Sequence, residues 1–278
     1  MKAPRLSHSG IEYLDLAWGI YSGCDNWRNG ICGGGGKDFN CWAMPIVKRF
    51  KSHYPNGFDP TWYPEAMLSS LSVKKPSIIG VGWVGDMFGD WVDPGQRMSL
   101  PLPDEIWRYG SFTLQGTLRQ VLFGVLNNCP QHRFVFLTKC YWNLKRWSPF
   151  PKNAWVGVTI TDGSKLREVL YALAEIEAGL IWLSVEPMLG PVVPPVWRAE
   201  WDMVGWVTVG AATRPYRPPQ VDWVEQLVYE CVAARKPVFL KDNLVKSLPP
   251  TVPFYVPPKE IPAKGKIEMV YRQEMPDW

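Results

Sequence analysis

The chain has 278 residues, of which 46% are hydrophobic and 20% charged, enough apolar material for a large core and too much for a disordered segment. Its net charge of +4 is spread through stretches such as KCYWNLKRW and PPKEIPAKGK, which permits a nucleic-acid partner without the concentrated basic patch that argues for one. Three histidines and no G-x-S-x-G elbow speak against a Ser-His-Asp hydrolase. No apolar run is as long as a membrane span, and the opening residues lack the continuous apolar core of a signal peptide, so the expectation is a soluble cytoplasmic protein with no membrane partner.

Short apolar, β-rich runs recur along the chain, at 13–21, 77–86, 133–140, 154–161, 179–187, 203–210 and 236–243. Near-continuous runs of this length fit parallel strands covered on both faces. Helical spacing of apolar residues falls between them, over 112–128, 164–179 and 220–236, with Asp222 as the expected N-cap of the last. Alternating strands and helices predict an α/β fold, a partial or complete TIM-like (β/α) barrel in a single domain over 1–248. The proline-rich tail, 249–278, is expected to pack as an irregular strap.

Polar residues gather at the C-terminal ends of these strands: Asp86, Thr138 and Lys139, Thr159 and Thr161, Ser184 and Glu186, Lys241 and Asp242. In a parallel barrel that end carries the loops of the active site. Strand ends also meet solvent, which explains some polar residues there. It explains less easily a Lys or Glu that follows several apolar residues.

The loop after the first strand, within 21–44, holds Cys24, Cys32 and Cys41 with four consecutive glycines, Gly33 to Gly36. Three readings are open. Zinc prefers four ligands in paired C-x2–4-C knuckles, which this spacing does not supply. A disulfide with a spare thiol is the second reading, disfavoured in a reducing compartment. Three thiolates also suit a [4Fe–4S] cluster with one iron left open to a small ligand, and the glycines would let the backbone approach it. Cys129, Cys140 and Cys231 read as core thiols, and Cys140 draws interest because it sits beside Lys139 at a strand end.

With these residues in view, the chain resembles a phage-associated family of uncharacterised radical-SAM-like proteins, and more distantly spore photoproduct lyase. The resemblance rests on an ordered series from Trp18 to Leu244: SGC…C…NCWAM, VGDMFGDWV, FLTKCYWNLKRW, WVGVTITD, LSVEPMLGPV, VTVGA and PVFLKDNL. It implies a radical SAM barrel in which Cys24, Cys32 and Cys41 hold a [4Fe–4S] cluster. The cluster would cleave S-adenosyl-L-methionine to a 5′-deoxyadenosyl radical. Asp86 falls near the cofactor's amino group, Lys139 and Thr159 match positions that hold its carboxylate, and Thr138 and Ser184 complete the cofactor-binding set. Glu186 could contact ribose hydroxyls or substrate, or could be a buried carboxylate tied to backbone amides. Lys241, Glu186 and Cys140 are the candidate catalytic groups. Relatives imply a nucleic acid, DNA or RNA, as substrate, a free nucleotide or a peptide being equally permitted, and a flavodoxin or ferredoxin as electron donor. The sequence departs from the family between its second and third cysteines, where eight residues lengthen the closure at a cost of roughly 1 kcal/mol. That departure keeps alive a second class of function, a non-catalytic iron–sulfur or zinc-binding nucleic-acid adaptor.

Overall fold

The computed structural model describes residues 6–32, 40–102, 112–194, 199–251, 253–256 and 270–277. Its largest sheet has eight strands, mostly parallel. They are β1 (Ser7–His8), β2 (Leu16–Trp18), β3 (Ile78–Val81), β4 (Arg133–Thr138), β5 (Ala154–Ile160), β6 (Leu180–Val185), β7 (Val204–Val209) and β8 (Val238–Leu240). Apart from β1, each lies inside one of the apolar runs expected to be a strand. The helices are α1 (Ala43–Arg49), α2 (Leu118–Asn127), α3 (Leu166–Ala174), the short α4 (Ala199–Asp202) and α5 (Val221–Ala233). No helix among the described residues is long and apolar enough to cross a membrane.

The chain groups into two compact units, Met1–Val158 with Glu175–Leu180, and Thr159–Ala174 with Ile181–Trp278. In the first, β1 pairs antiparallel with β2, and β2, β3, β4 and β5 follow in parallel register. The strand β5, AWVGVTI, is buried at every position but Thr159, as a strand covered on both faces must be. The helix α2 lays Leu118, Val121, Leu122, Val125 and Leu126 into the core and starts at a capping box, in which Thr117 accepts from the Gln120 amide and Gln120 accepts from the Thr117 amide.

In the second unit β6, β7 and β8 are parallel neighbours. The outer edge of β8 is taken by the tail. Leu240 N donates to the Arg272 carbonyl, Glu274 N donates to the Val238 carbonyl, and Phe239 bridges Gln273. A barrel closes only when its last strand offers a free edge. Here that edge is covered and the sheet does not close on itself, so of the partial or complete barrel expected from the sequence the complete form is not made.

Two local expectations also change. Residues 112–117 form a strand rather than the first turns of a helix, because they pair antiparallel with Arg97–Leu102 over six positions. Tertiary pairing overrides the helical spacing there. Asp222 lies in the first turn of α5, and Gln220 is its N-cap, without a side-chain hydrogen bond.

Candidate functional site

In the first unit, the short strand Tyr21–Gly23 delivers the cysteine loop. It pairs antiparallel with Thr61–Trp62 and parallel with Val84–Gly85, bringing Gly23 opposite Gly85. Gly23 has φ +85°, and a Cβ there would collide with the Asp59 carbonyl. A Cβ on Gly85 would collide with the Gly23 carbonyl oxygen. Only glycine lets these two backbones lie this close.

Next along the chain from Gly85, Asp86 is 5% exposed and accepts four hydrogen bonds. Its Oδ1 takes them from Thr138 Oγ1 (2.7 Å) and Phe88 N (3.1 Å), its Oδ2 from Asn26 Nδ2 (2.9 Å) and Lys139 N (3.0 Å). An ionised carboxylate offers about four lone-pair positions, and protein donors fill them. The ring closes through Cys140, whose Sγ donates to Asn26 Oδ1 (3.1 Å) and whose amide donates to Thr138 Oγ1 (2.8 Å). Cys24 Sγ accepts from the Asn26 amide at 3.3 Å. Asn26 is thus the residue that ties the cysteine loop to the end of the short strand Val84–Gly85 and to the end of β4.

Burial, and then the nearby Asp86 charge, push the thiols of Cys24 and Cys140 far above the ordinary cysteine range. Lys139 opposes this at Cys24, since its ammonium charge favours the thiolate. The Lys139 side chain is half-buried and has no ion-pair partner among the described residues. Cys140 is fully buried, so it acts here as a hydrogen-bond donor within the network.

All six cysteines are free thiols, and Cys24, Cys32 and Cys41 are half-buried, unlike the enclosed Cys129, Cys140 and Cys231. Cys32 is near enough to Cys24 to act on it electrostatically. Among the described residues no three His, Cys, Asp or Glu side chains are gathered around a common metal position. Gly33 to Gly36 lie outside the described residues. Three half-buried cysteines outside any disulfide are donors of the type an iron–sulfur cluster takes.

In the second unit, Lys241 Nζ donates to Glu186 Oε1 at 2.8 Å, with the two side chains 13% and 25% exposed. Gly210 makes room for this pair, because a Cβ there would lie 3.0 Å from the Glu186 carboxyl carbon. Ser184 and Thr208 are register partners on β6 and β7, both fully buried, and neither hydroxyl oxygen has a hydrogen-bond partner among the described residues. Thr159, half-buried near the end of β5, begins this unit.

The stretch LSVEPMLGPV does more backbone work than its sequence suggests. Met188 N donates to the Gly210 carbonyl (2.9 Å), Leu189 N to the Thr161 carbonyl (2.7 Å), and Gly163 N to the Pro191 carbonyl (2.9 Å). A Cβ on Gly190 would lie 3.0 Å from Asp162 Cβ, and Met188 and Val192 are buried at 1% exposure. The Glu186–Pro187 peptide is cis.

Sequence reasoning missed Asn26, whose partners lie at Asp86 and Cys140. The only local signal is its place two residues after a strand-end cysteine.

Residues 113–244 match the model of a family described as a protein of unknown function (DUF5131). Thr138, Lys139, Cys140, Thr159, Ser184, Glu186 and Lys241 fall inside the matched segment, whereas Asp86 and the three loop cysteines fall before it. No curated protein and no solved structure matches the chain.

Proposed function

We propose that the chain is a radical S-adenosylmethionine enzyme acting on a nucleic acid or nucleotide, with Cys24, Cys32 and Cys41 holding a [4Fe–4S] cluster. The observation that carries this reading is the network around Asp86. It anchors the cysteine loop beside the end of β4 and leaves the Lys139 ammonium near the Cys24 thiol without a counter-ion among the described residues. A cation at that position serves two partners, a thiolate ligand and the carboxylate of an amino acid. Once bound, a reduced cluster of this type supplies one electron for cleavage of the S–C5′ bond of S-adenosylmethionine. An external flavodoxin or ferredoxin would provide that electron.

The chain's own residues have separate tasks. Asp86 fixes Asn26, Thr138 and the Lys139 amide, and so positions the loop rather than offering a free acceptor. Lys139 binds the cofactor carboxylate. In the second unit, Lys241 Nζ holds a proton on Glu186 Oε1, a pair suited to giving or taking a proton at a substrate heteroatom.

The filled acceptor positions of Asp86 favour one competing reading, a non-catalytic iron–sulfur or zinc-binding nucleic-acid adaptor. Anaerobic reconstitution with iron and sulfide, then dithionite and S-adenosylmethionine, separates the two. The enzyme reading expects about four irons per chain and release of 5′-deoxyadenosine, both lost in Cys24→Ala, Cys32→Ala and Cys41→Ala. Iron or zinc uptake without cleavage, unchanged when DNA or RNA is added as substrate trigger, favours the adaptor. Failure to take up either metal overturns both.

A further inference from the structure

Beside the cysteine loop, within the first unit, lies a cavity of about 580 Å³. Its walls include the aromatic rings of Trp27, Tyr54 and Phe58, with Met44 from α1. Two lysines line it as well: Lys48, one turn along from Met44 on the same face of α1, and Lys51, three residues further on. Both are exposed, and among the described residues neither has an acidic partner and no acidic side chain lines the cavity. Trp27 is fixed as a wall from outside, because the Arg28 guanidinium lies 4.9 Å from its ring centroid and is itself held by Asp25 and Asp59.

Three aromatic rings with a pair of unpaired lysines ask for a ligand with two parts. Flat rings take a flat partner by stacking, which any nucleobase satisfies. Two lysines three residues apart in the chain, one in the last turn of α1 and one just past its end, suit an anion of charge near two, and lysine is a common point-charge binder of phosphate. The volume lies in the range of small-molecule sites and exceeds the need of inorganic phosphate alone.

We propose that this cavity is a nucleotide-binding site, taking a nucleobase against Trp27, Tyr54 and Phe58 and its phosphate on Lys48 and Lys51. The phosphate can belong to a free nucleotide or to the end of a strand, and the chemistry of the site is the same for both. The site deepens the enzyme reading by naming where the substrate is held. Binding itself needs neither cluster nor S-adenosylmethionine, so the two proposals fail separately.

The test is calorimetric titration of the full chain with the four 5′-ribonucleoside monophosphates, adenosine, inorganic phosphate, decanoate and a 5′-phosphorylated hexadeoxynucleotide. At least one monophosphate is expected to bind with a Kd below about 1 mM. Lys48→Ala/Lys51→Ala is expected to weaken it about tenfold or more while leaving adenosine unchanged, since both lysines are on the surface and folding does not depend on them. Met44→Trp, which fills the cavity, is expected to abolish both, with the thermal midpoint confirming the fold. Tighter binding of the hexanucleotide than of any monophosphate supports the site and assigns a strand end as its source. Nucleotide binding that survives both variants, or a cavity that takes decanoate and no nucleotide, overturns the proposal.

Discussion

Asn26 and Asp86 meet across 60 residues of chain, the amide nitrogen of one lying 2.9 Å from a carboxylate oxygen of the other. That contact joins the cysteine loop to the end of the short strand Val84–Gly85 and, through Asp86, to the end of β4. Asp86→Asn turns one acceptor oxygen into a donor, which then faces Asn26 and the Lys139 amide or Thr138 and the Phe88 amide. Donor facing donor in a buried site should cost about 3 kcal/mol, measured by urea unfolding. A loss under about 1 kcal/mol would mean that the network does not hold the loop.

Two glycines in the same loop region should respond differently. Gly23 and Gly30 both have positive φ, +85° and +68°, but a Cβ on Gly30 meets open space while one on Gly23 meets the Asp59 backbone. Gly30→Ala should cost about 1 kcal/mol from the backbone conformation alone. Gly23→Ala should cost about 2 kcal/mol more and reduce iron uptake on reconstitution, because the strand that carries Cys24 must move. Equal losses for the two variants would remove the close-approach argument.

The thiols should react in a definite order. Alkylation with iodoacetamide near pH 8, read by mass spectrometry, should modify the half-buried Cys32 and Cys41 first. Cys24 should lag by about tenfold or more, since burial and the Asp86 charge hold it in the thiol form. Cys129, Cys140 and Cys231 should label only on unfolding, Cys231 also because burial pushes its thiol up to about 12. Rapid labelling of Cys140 in the folded chain would contradict its place in the network.

His132 supplies a pH dependence. It is fully buried, and its Nε2 pairs with the Val73 carbonyl at 2.9 Å. Burial holds its pKa below the ordinary value of 6.5. Between the folded value and 6.5 the unfolded chain binds more protons, so stability falls as pH drops below 6.5, at no more than about 1.4 kcal/mol per pH unit. In urea unfolding between pH 7.5 and 5, His132→Gln should flatten that slope; parallel curves would assign it to another group.

The strands were legible because their residues carry the signal themselves. β4, RFVFLT, and β6, LIWLSV, are apolar on both faces, and a strand covered on both sides needs nothing else. The segment 112–117 misled because Phe112, Leu114 and the apolar residues of α2 share a helical spacing, while the partner that makes a strand of them, Arg97–Leu102, contains a proline and reads as a loop. Barrel closure was not legible either, since nothing in VFL says that Gln273 will occupy its edge. At the site, the cysteines, Asp86 and Lys139 could be found from their places at strand ends. Asn26 could not, because its hydrogen bonds run to residues 60 and 114 positions away. The cavity by α1 escaped because its lining joins Trp27 to the stretch from Asn40 to Phe58, a juxtaposition that neither stretch signals alone.

The stretch LSVEPMLGPV gave the sequence its most distinctive signature, yet most of its residues are accounted for by stitching one loop to its neighbours. A chain that has lost its reaction keeps such a seam for the same mechanical reason as one that retains it. Likeness read from this stretch therefore speaks to how a loop is built, and a test of the proposed reaction turns on residues such as Lys139 and Cys24, which the seam does not constrain.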